Sequence, residues 1–140
     1  MIDTFGCRVV GVDTSATMRE MAKDYVNSGR FNVMDPSLLD GVAGAFDGAI
    51  CVWVLQHSLD PAADIRRLQQ SMKINARGVI INHAMRLVPA RASEDQPWFW
   101  AEDGKDIFAM MAQTFMIDRF IQHRHDKPES DYWQMNIWKV

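Results

Sequence analysis

The side chains best placed for chemistry in this sequence are two carboxylates and two histidines, each standing where an apolar run ends. Asp13 follows Arg8-Val9-Val10-Gly11-Val12, and Asp35 follows Arg30-Phe31-Asn32-Val33-Met34. His57 follows the long run Phe46–Leu55 and Gln56, and His83 closes Arg77-Gly78-Val79-Ile80-Ile81-Asn82. A carboxylate at a strand end can accept the hydrogens of a ribose diol. It can equally mark the start of the helix that follows, and Asp13 admits both readings. Imidazole takes up a proton near neutral pH, so His57 is the first candidate for a general base and His83 the second. The plain alternative for each is a hydrogen bond to its own loop. Gln56 is placed to orient a substrate.

These residues need elements to hold them. Val9, Val10 and Val12 are β-branched and uninterrupted, as a buried strand requires. Thr14 or Ser15 can cap a helix running from about Ser15 to Asn27, with Met18, Met21, Ala22 and Tyr25 as its buried stripe. Gly29 stands in the place of a C-terminal glycine. Arg30–Met34 reads as a short strand closed by Asp35-Pro36, and 37–44 as a loop with one helical turn at Leu38-Leu39. Phe46–Leu55 reads as a central strand. Asp60 with Pro61 starts a helix that buries Ile65, Leu68 and Met72. Arg77–His83 reads as the next strand. The stretch from Met85 to Lys105 breaks this alternation with Pro89, Pro97 and Trp98-Phe99-Trp100, and reads as a lid, a partner-covered patch or plain packing. Ile107–Gln113 follows as a helix, then strands at Thr114–Ile121 and Tyr132–Val140. Between them, 122–131 holds His123, His125, Asp126 and Pro128 as a hairpin loop.

The alternation predicts an α/β fold: a Rossmann-like, mostly parallel sheet with helices on both faces and a C-terminal antiparallel hairpin. In such a sheet Asp13, Asp35, Gln56-His57 and Asn82-His83 fall on one edge. The expected organisation is a single domain over 1–140 with an insertion at about 85–105.

Composition narrows the function classes. A net charge of −3 and the lack of a basic cluster speak against nucleic acid and against acidic membrane surfaces. Two cysteines, Cys7 and Cys51, do not make a disulfide framework. The start Met1-Ile2-Asp3-Thr4 lacks the pattern of a leader, and no apolar run reaches the ~20 residues of a membrane helix. A cytoplasmic location is expected. His123-Arg124-His125-Asp126 lacks any accompanying zinc pattern, so no metal is expected. No Gly-x-Ser-x-Gly elbow is present for a serine hydrolase. A nucleotide dehydrogenase shares the acid after its second strand and is the enzymatic rival.

The order of elements resembles the class I, Rossmann-like methyltransferases that use S-adenosylmethionine. Val9-Val10-Gly11-Val12-Asp13-Thr14-Ser15 resembles that family's second strand, Met34-Asp35 the end of its third, and Phe46–Val54 through Leu55-Gln56-His57 its fourth. Asp60-Pro61 and Gly78–Ile81 resemble the helix and fifth strand that follow. The resemblance implies S-adenosylmethionine as cofactor, held by Asp13, Thr14, Met34, Asp35, Val52 and Trp53. It implies His57 as general base for a small-molecule acceptor lying near Gln56, His83, Trp98 and Trp100. Methyl transfer from a sulfonium asks the protein mainly to align the nucleophile and exclude water.

The family's first strand and glycine-rich turn have no counterpart, because only 1–7 precede the Arg8 strand. Three explanations stand: the chain is N-terminally truncated, another chain closes the gap by dimerisation or strand exchange, or 1–5 fill part of the slot. The last two leave a homodimer as one expected partner. The second function class is therefore a non-catalytic, methyltransferase-like module that dimerises or binds a partner.

Overall fold

The first residues to form regular structure are those the valines predict. β1 (Val9–Val12) pairs in parallel with β2 (Phe31–Met34), Val9 opposite Phe31 and Val12 opposite Met34. The computed structural model describes residues 2–127 and 130–140, and divides into one unit ending at Val42 and a second beginning at Ala43. Pro128, in the predicted hairpin loop, lies outside the described residues.

The first unit holds β1, β2, a single helical turn α1 (Ile2–Phe5), the helix α2 (Ala16–Val26) and a 3-10 turn at Pro36–Gly41. The residues Ile2–Phe5 are thus helical, which corrects the idea that they fill a strand slot. Ser15 caps α2 by accepting the Met18 N–H at 3.3 Å. The helix ends at Asn27, as expected, but its cap is Asn27 itself and not Gly29: the φ of Asn27, 39°, is left-handed and its N–H returns to the Lys23 carbonyl. Asparagine tolerates that conformation, so the glycine is not needed.

The predicted stripe on α2 is also corrected. Met18, Met21 and Tyr25 are exposed, Tyr25 at 92%. Of that stripe Ala22 is half-buried, and it shares the half-buried face with Arg19 and Val26. The cause is Arg19, whose guanidinium donates to the Asp13 carbonyl at 2.6 Å and to the Asp35 carboxylate at 3.1 Å. Both partners stand at strand ends, so this polar anchor turns the Arg19 face toward β1 and β2. Apolar spacing alone cannot see such an anchor.

The second unit carries β3 (Phe46–Val52), α3 (Pro61–Ser71), β4 (Met72–His83), β5 (Val88–Ala90), β6 (Phe99–Ala101), α4 (Ile107–Thr114), β7 (Met116–His123) and β8 (Tyr132–Trp138). Its main sheet has the order β3-β4-β8-β7. β3 and β4 run parallel, while β8 is antiparallel to both β4 and β7. The parallel βα order of each unit and the closing antiparallel hairpin of the second are those expected of a Rossmann-like α/β fold.

Asp60 caps α3 through the Ala63 N–H at 3.0 Å, with Pro61 in the first turn, as predicted. Met72 leaves the helix and opens β4, fully buried. The expected central strand at Phe46–Leu55 stops at Val52 and lies at the sheet edge, with Ile50 exposed. Leu55–His57 form a 3-10 turn instead. The second helix of this unit keeps Thr114, whose hydroxyl bonds the Met110 carbonyl, so β7 starts at Met116.

The core lies on one face of the sheet. Ile65 of α3 and Ile107, Met111 and the following Phe115 pack on Met72, Ile80, Met135 and Ile137. The last strand alternates: Trp133, Met135 and Ile137 are buried and their neighbours half-buried. Gly78 allows the tight approach of three strands, because a Cβ there would sit 2.9 Å from the Ala49 carbonyl and 3.0 Å from Ile137 Cγ1. Among the described residues no helix is long and apolar enough to cross a membrane.

Candidate active site

In the first unit the two acids end their strands. Asp13 N–H bonds the Met34 carbonyl at 3.2 Å, fixing the end of β1 against β2. Asp13 Oδ1 accepts the Ser15 N–H at 2.8 Å, and Oδ2 has no bond among the described residues. Thr14 is exposed and Met34 half-buried. Asp35 is more committed. Its Oδ1 accepts the Ser37 hydroxyl at 2.7 Å and the Ser37 N–H at 3.0 Å, and its Oδ2 meets Arg19. The Ser37 hydroxyl bond, helped by the Ser37 N–H and by Arg19, lowers the Asp35 pKa below the ordinary carboxylate value.

In the second unit the ends of β3 and β4 are joined by two buried amides. Gln56 is 2% exposed and Asn82 1%. Asn82 Oδ1 accepts the Gln56 N–H at 3.0 Å, and Gln56 Oε1 accepts the His83 N–H at 2.8 Å. Gln56, expected to orient a substrate, thus directs its amide oxygen to the backbone. Its Nε2 lies 3.2 Å from His57 Nε2. His57 Nδ1 lies 2.8 Å from the Leu87 carbonyl. Both ring nitrogens of the expected general base are therefore engaged.

Val52 ends β3 exposed, and Trp53 follows with a left-handed φ of 59°. The Trp53 ring lies against His83, with centroids 4.2 Å apart, and meets the edge of Tyr132 at 5.5 Å. Tyr132 in turn stacks on His123 at 4.4 Å and His125 at 5.6 Å.

The stretch 85–105 is a built structure, with β5 and β6 paired antiparallel. Its base is pinned by Arg86, a buried side chain that sequence reasoning missed. Arg86 meets Asp103 in a two-pronged pair at 2.6 and 2.8 Å and donates to the carbonyls of Leu55 (2.7 Å) and Ser58. The Arg86 guanidinium holds the Asp103 carboxyl well below the usual carboxylate range. Arg86 and Asp103 are 17 residues apart, and no periodicity links them. Trp98 carries the Arg91 guanidinium 4.1 Å above its ring, and Trp100 meets His57 edge-on at 5.1 Å.

Two clefts open beside these groups. One, of about 280 Å³, is lined by Asn82, His83, Glu102, Asp106, Phe108 and Trp133 among others. The other, of about 230 Å³, is lined by Gln56, His57, His83, Met85 and Leu87. His83 borders both, whereas Trp98 and Trp100, expected to touch substrate, border neither. Cys51 contributes no nucleophile here, since burial pushes its thiol up to about 11.

Strand ends bearing acids in a parallel βα order are what the methyltransferase resemblance implied. The family model described as the methyltransferase domain matches residues 1–80, more than half of the chain. The chain belongs to that family. Its fold is that of the class I methyltransferases. This methyltransferase domain is similar to the Burkholderia thailandensis 1,6-didemethyltoxoflavin-N1-methyltransferase, solved with bound 1,6-didemethyltoxoflavin and S-adenosylhomocysteine, with a TM-score of 0.63 and 21% identity over 95% of this chain and 61% of that one. It is similar to the N-methyltransferase NodS of Bradyrhizobium japonicum WM9, solved with S-adenosylhomocysteine, with a TM-score of 0.67 and 12% identity over 94% and 66%. It is also similar to the [4+2]-cyclase SpnF, with a TM-score of 0.67 and 15% identity over 95% and 66%. The chain thus spans less than two thirds of the length of each of these proteins. A search of the curated proteins returns no match.

Proposed function

We propose that this methyltransferase domain uses S-adenosylmethionine to methylate a small molecule. The observation that carries the reading is the family match over residues 1–80, within which Asp13 follows β1 with one carboxylate oxygen unbonded among the described residues. The donor set fits the group. Asp13 Oδ2 is available to ribose hydroxyls, which donate to carboxylates in charge-assisted bonds. Asp35 keeps acceptor capacity for an amino group, since a carboxylate offers about four lone-pair sites. Thr14 and Met34 flank these two acids in the sequence, and Val52 and Trp53 end β3. When bound, the cofactor supplies a methyl group on a good leaving group. The chain's own part is to hold the acceptor and keep water out, which falls to the clefts bordered by His83. Two similar structures carry S-adenosylhomocysteine, which supports the same cofactor here.

Titration calorimetry with S-adenosylmethionine and S-adenosylhomocysteine tests this reading. Micromolar binding that weakens in Asp13→Asn supports it. A folded chain that binds neither at millimolar concentration overturns it.

A second reading is a partner-binding module that dimerises, including by strand exchange. It is supported by the exposed Met18, Met21, Tyr25 and Ile50, and by β1 and β3 each having one strand partner among the described residues. A monomeric mass by light scattering at high concentration overturns the dimer.

A further inference from the structure

Hydrogen bonding separates the two strand-end histidines of the second unit. The backbone N–H of His83 is a donor only, so the Gln56 atom it meets at 2.8 Å is the amide oxygen. That choice fixes the other end of the amide. The Gln56 NH₂ then faces His57 Nε2 at 3.2 Å, and an NH₂ group only donates. His57 Nε2 must therefore present a lone pair. Its proton is left on Nδ1, which donates to the Leu87 carbonyl at 2.8 Å. The amide cannot turn over without setting an NH₂ against the His83 N–H, and burial shuts out water that would relieve the clash. His57 is thus a strut between the turn at Leu55–His57 and the base of the insertion.

His83 is different on three counts. Its Nδ1 is shut away from water and has no hydrogen-bond partner among the described residues. Its ring is backed by Trp53, a bulky residue in left-handed backbone, and such strain collects at functional sites. It borders both clefts, where His57 borders only the smaller.

We infer that His83 is the histidine that meets the methyl acceptor, and that Gln56 is a positioning residue that locks His57 in its Nδ1–H form. The acceptor half rests on the methyl-transfer reading above, and the tautomer half does not.

The experiment is long-range ¹⁵N–¹H correlation on the histidine rings of the full, unliganded chain. The expected result is His57 protonated at Nδ1 by a ratio of about tenfold or more, as one net hydrogen bond supports. Gln56→Leu should lower that ratio severalfold, the bond to the Leu87 carbonyl remaining. If that variant fails to fold, Gln56→Glu replaces the donor by an acceptor, and His57 should then carry protons on both nitrogens at neutral pH. A proton on Nε2 alone in the unsubstituted chain, or an unchanged tautomer ratio in a folded Gln56 variant, overturns the positioning role. The same sample titrated with benzylamine and with phenol reads the acceptor half. Ring shifts at His83 larger than at His57 support the assignment. Shifts confined to His57, or none at His83 with either probe, overturn it. Failure of the methyl-transfer reading shows separately, as absent S-adenosylhomocysteine binding in calorimetry.

Discussion

Arg86 and Asp103 close the two ends of the insertion with a two-pronged ion pair, Nε to Oδ1 at 2.6 Å and Nη2 to Oδ2 at 2.8 Å. The same guanidinium bonds the carbonyls of Leu55 and Ser58, so one side chain ties the insertion to the turn that carries Gln56 and His57. Replacing it by Met leaves Asp103 and two carbonyls short of a donor. The expected cost is about 2 kcal/mol in urea unfolding, the usual scale for a charge-assisted bond lost from a buried site. Limited proteolysis should then cut within 88–101 faster than in the unsubstituted chain.

The same pair sets an acid limit. Folding lowers the Asp103 pKa through its bonds to Arg86, so the unfolded chain takes up that proton first. The stability this group contributes is fully present above the ordinary carboxylate range. It is lost as pH falls below about 4, the unfolded value, toward the lower folded one. Asp35, lowered chiefly by the Ser37 hydroxyl, acts with the same sign in the first unit. Unfolding midpoints measured from pH 7 to pH 2 should stay level above pH 5 and then fall. In Asp103→Asn the fall should be shallower.

Asp13 offers a sharper test of cofactor binding than Asp35. Its Oδ2 is unbonded among the described residues, while both Asp35 oxygens already serve Ser37 and Arg19. Asp13→Asn should weaken S-adenosylhomocysteine about tenfold, the scale of one charge-assisted bond, with little change in thermal midpoint. Asp35→Asn should lower the midpoint as well, because the Arg19 anchor of α2 goes with it.

Burial predicts which methionines matter for stability. Met135→Ala empties a fully buried site and should cost about 2–5 kcal/mol. Met21→Gln on the exposed face of α2 should stay within about 0.5 kcal/mol, since it touches no such feature. A larger loss at Met21, read by urea melts, would mean that a partner covers this face in solution.

Gly78→Ala should destabilise the chain by more than its helix or strand propensity explains. The added methyl group would lie 2.9 Å from the Ala49 carbonyl, a backbone atom that cannot swing aside. Overpacking of this kind typically costs about 1–3 kcal/mol. Differential scanning calorimetry should show the midpoint falling, and an unchanged midpoint would mean that β3 moves away from β4.

Much of this architecture is written in local pattern. Apolar runs that carry β-branched residues specify strands at β1, β3 and β4, and alternation marks β8, because side-chain periodicity of two leaves only one register with a buried face. Asp60 and Pro61 announce the start of α3 by chemistry confined to one turn. The acids at the ends of β1 and β2, and the family to which they point, follow from the same linear order. What linear order cannot carry is the pairing of polar groups far apart in the chain. Arg19 reaches Asp35 across 16 residues and turns α2 against its own apolar stripe. Gln56 reaches His83 across 27 residues and thereby decides which nitrogen of His57 holds the proton. Hydrophobic burial is non-directional and shows in the spacing of residue types. A hydrogen bond depends on distance and angle, and those exist only once the chain has folded.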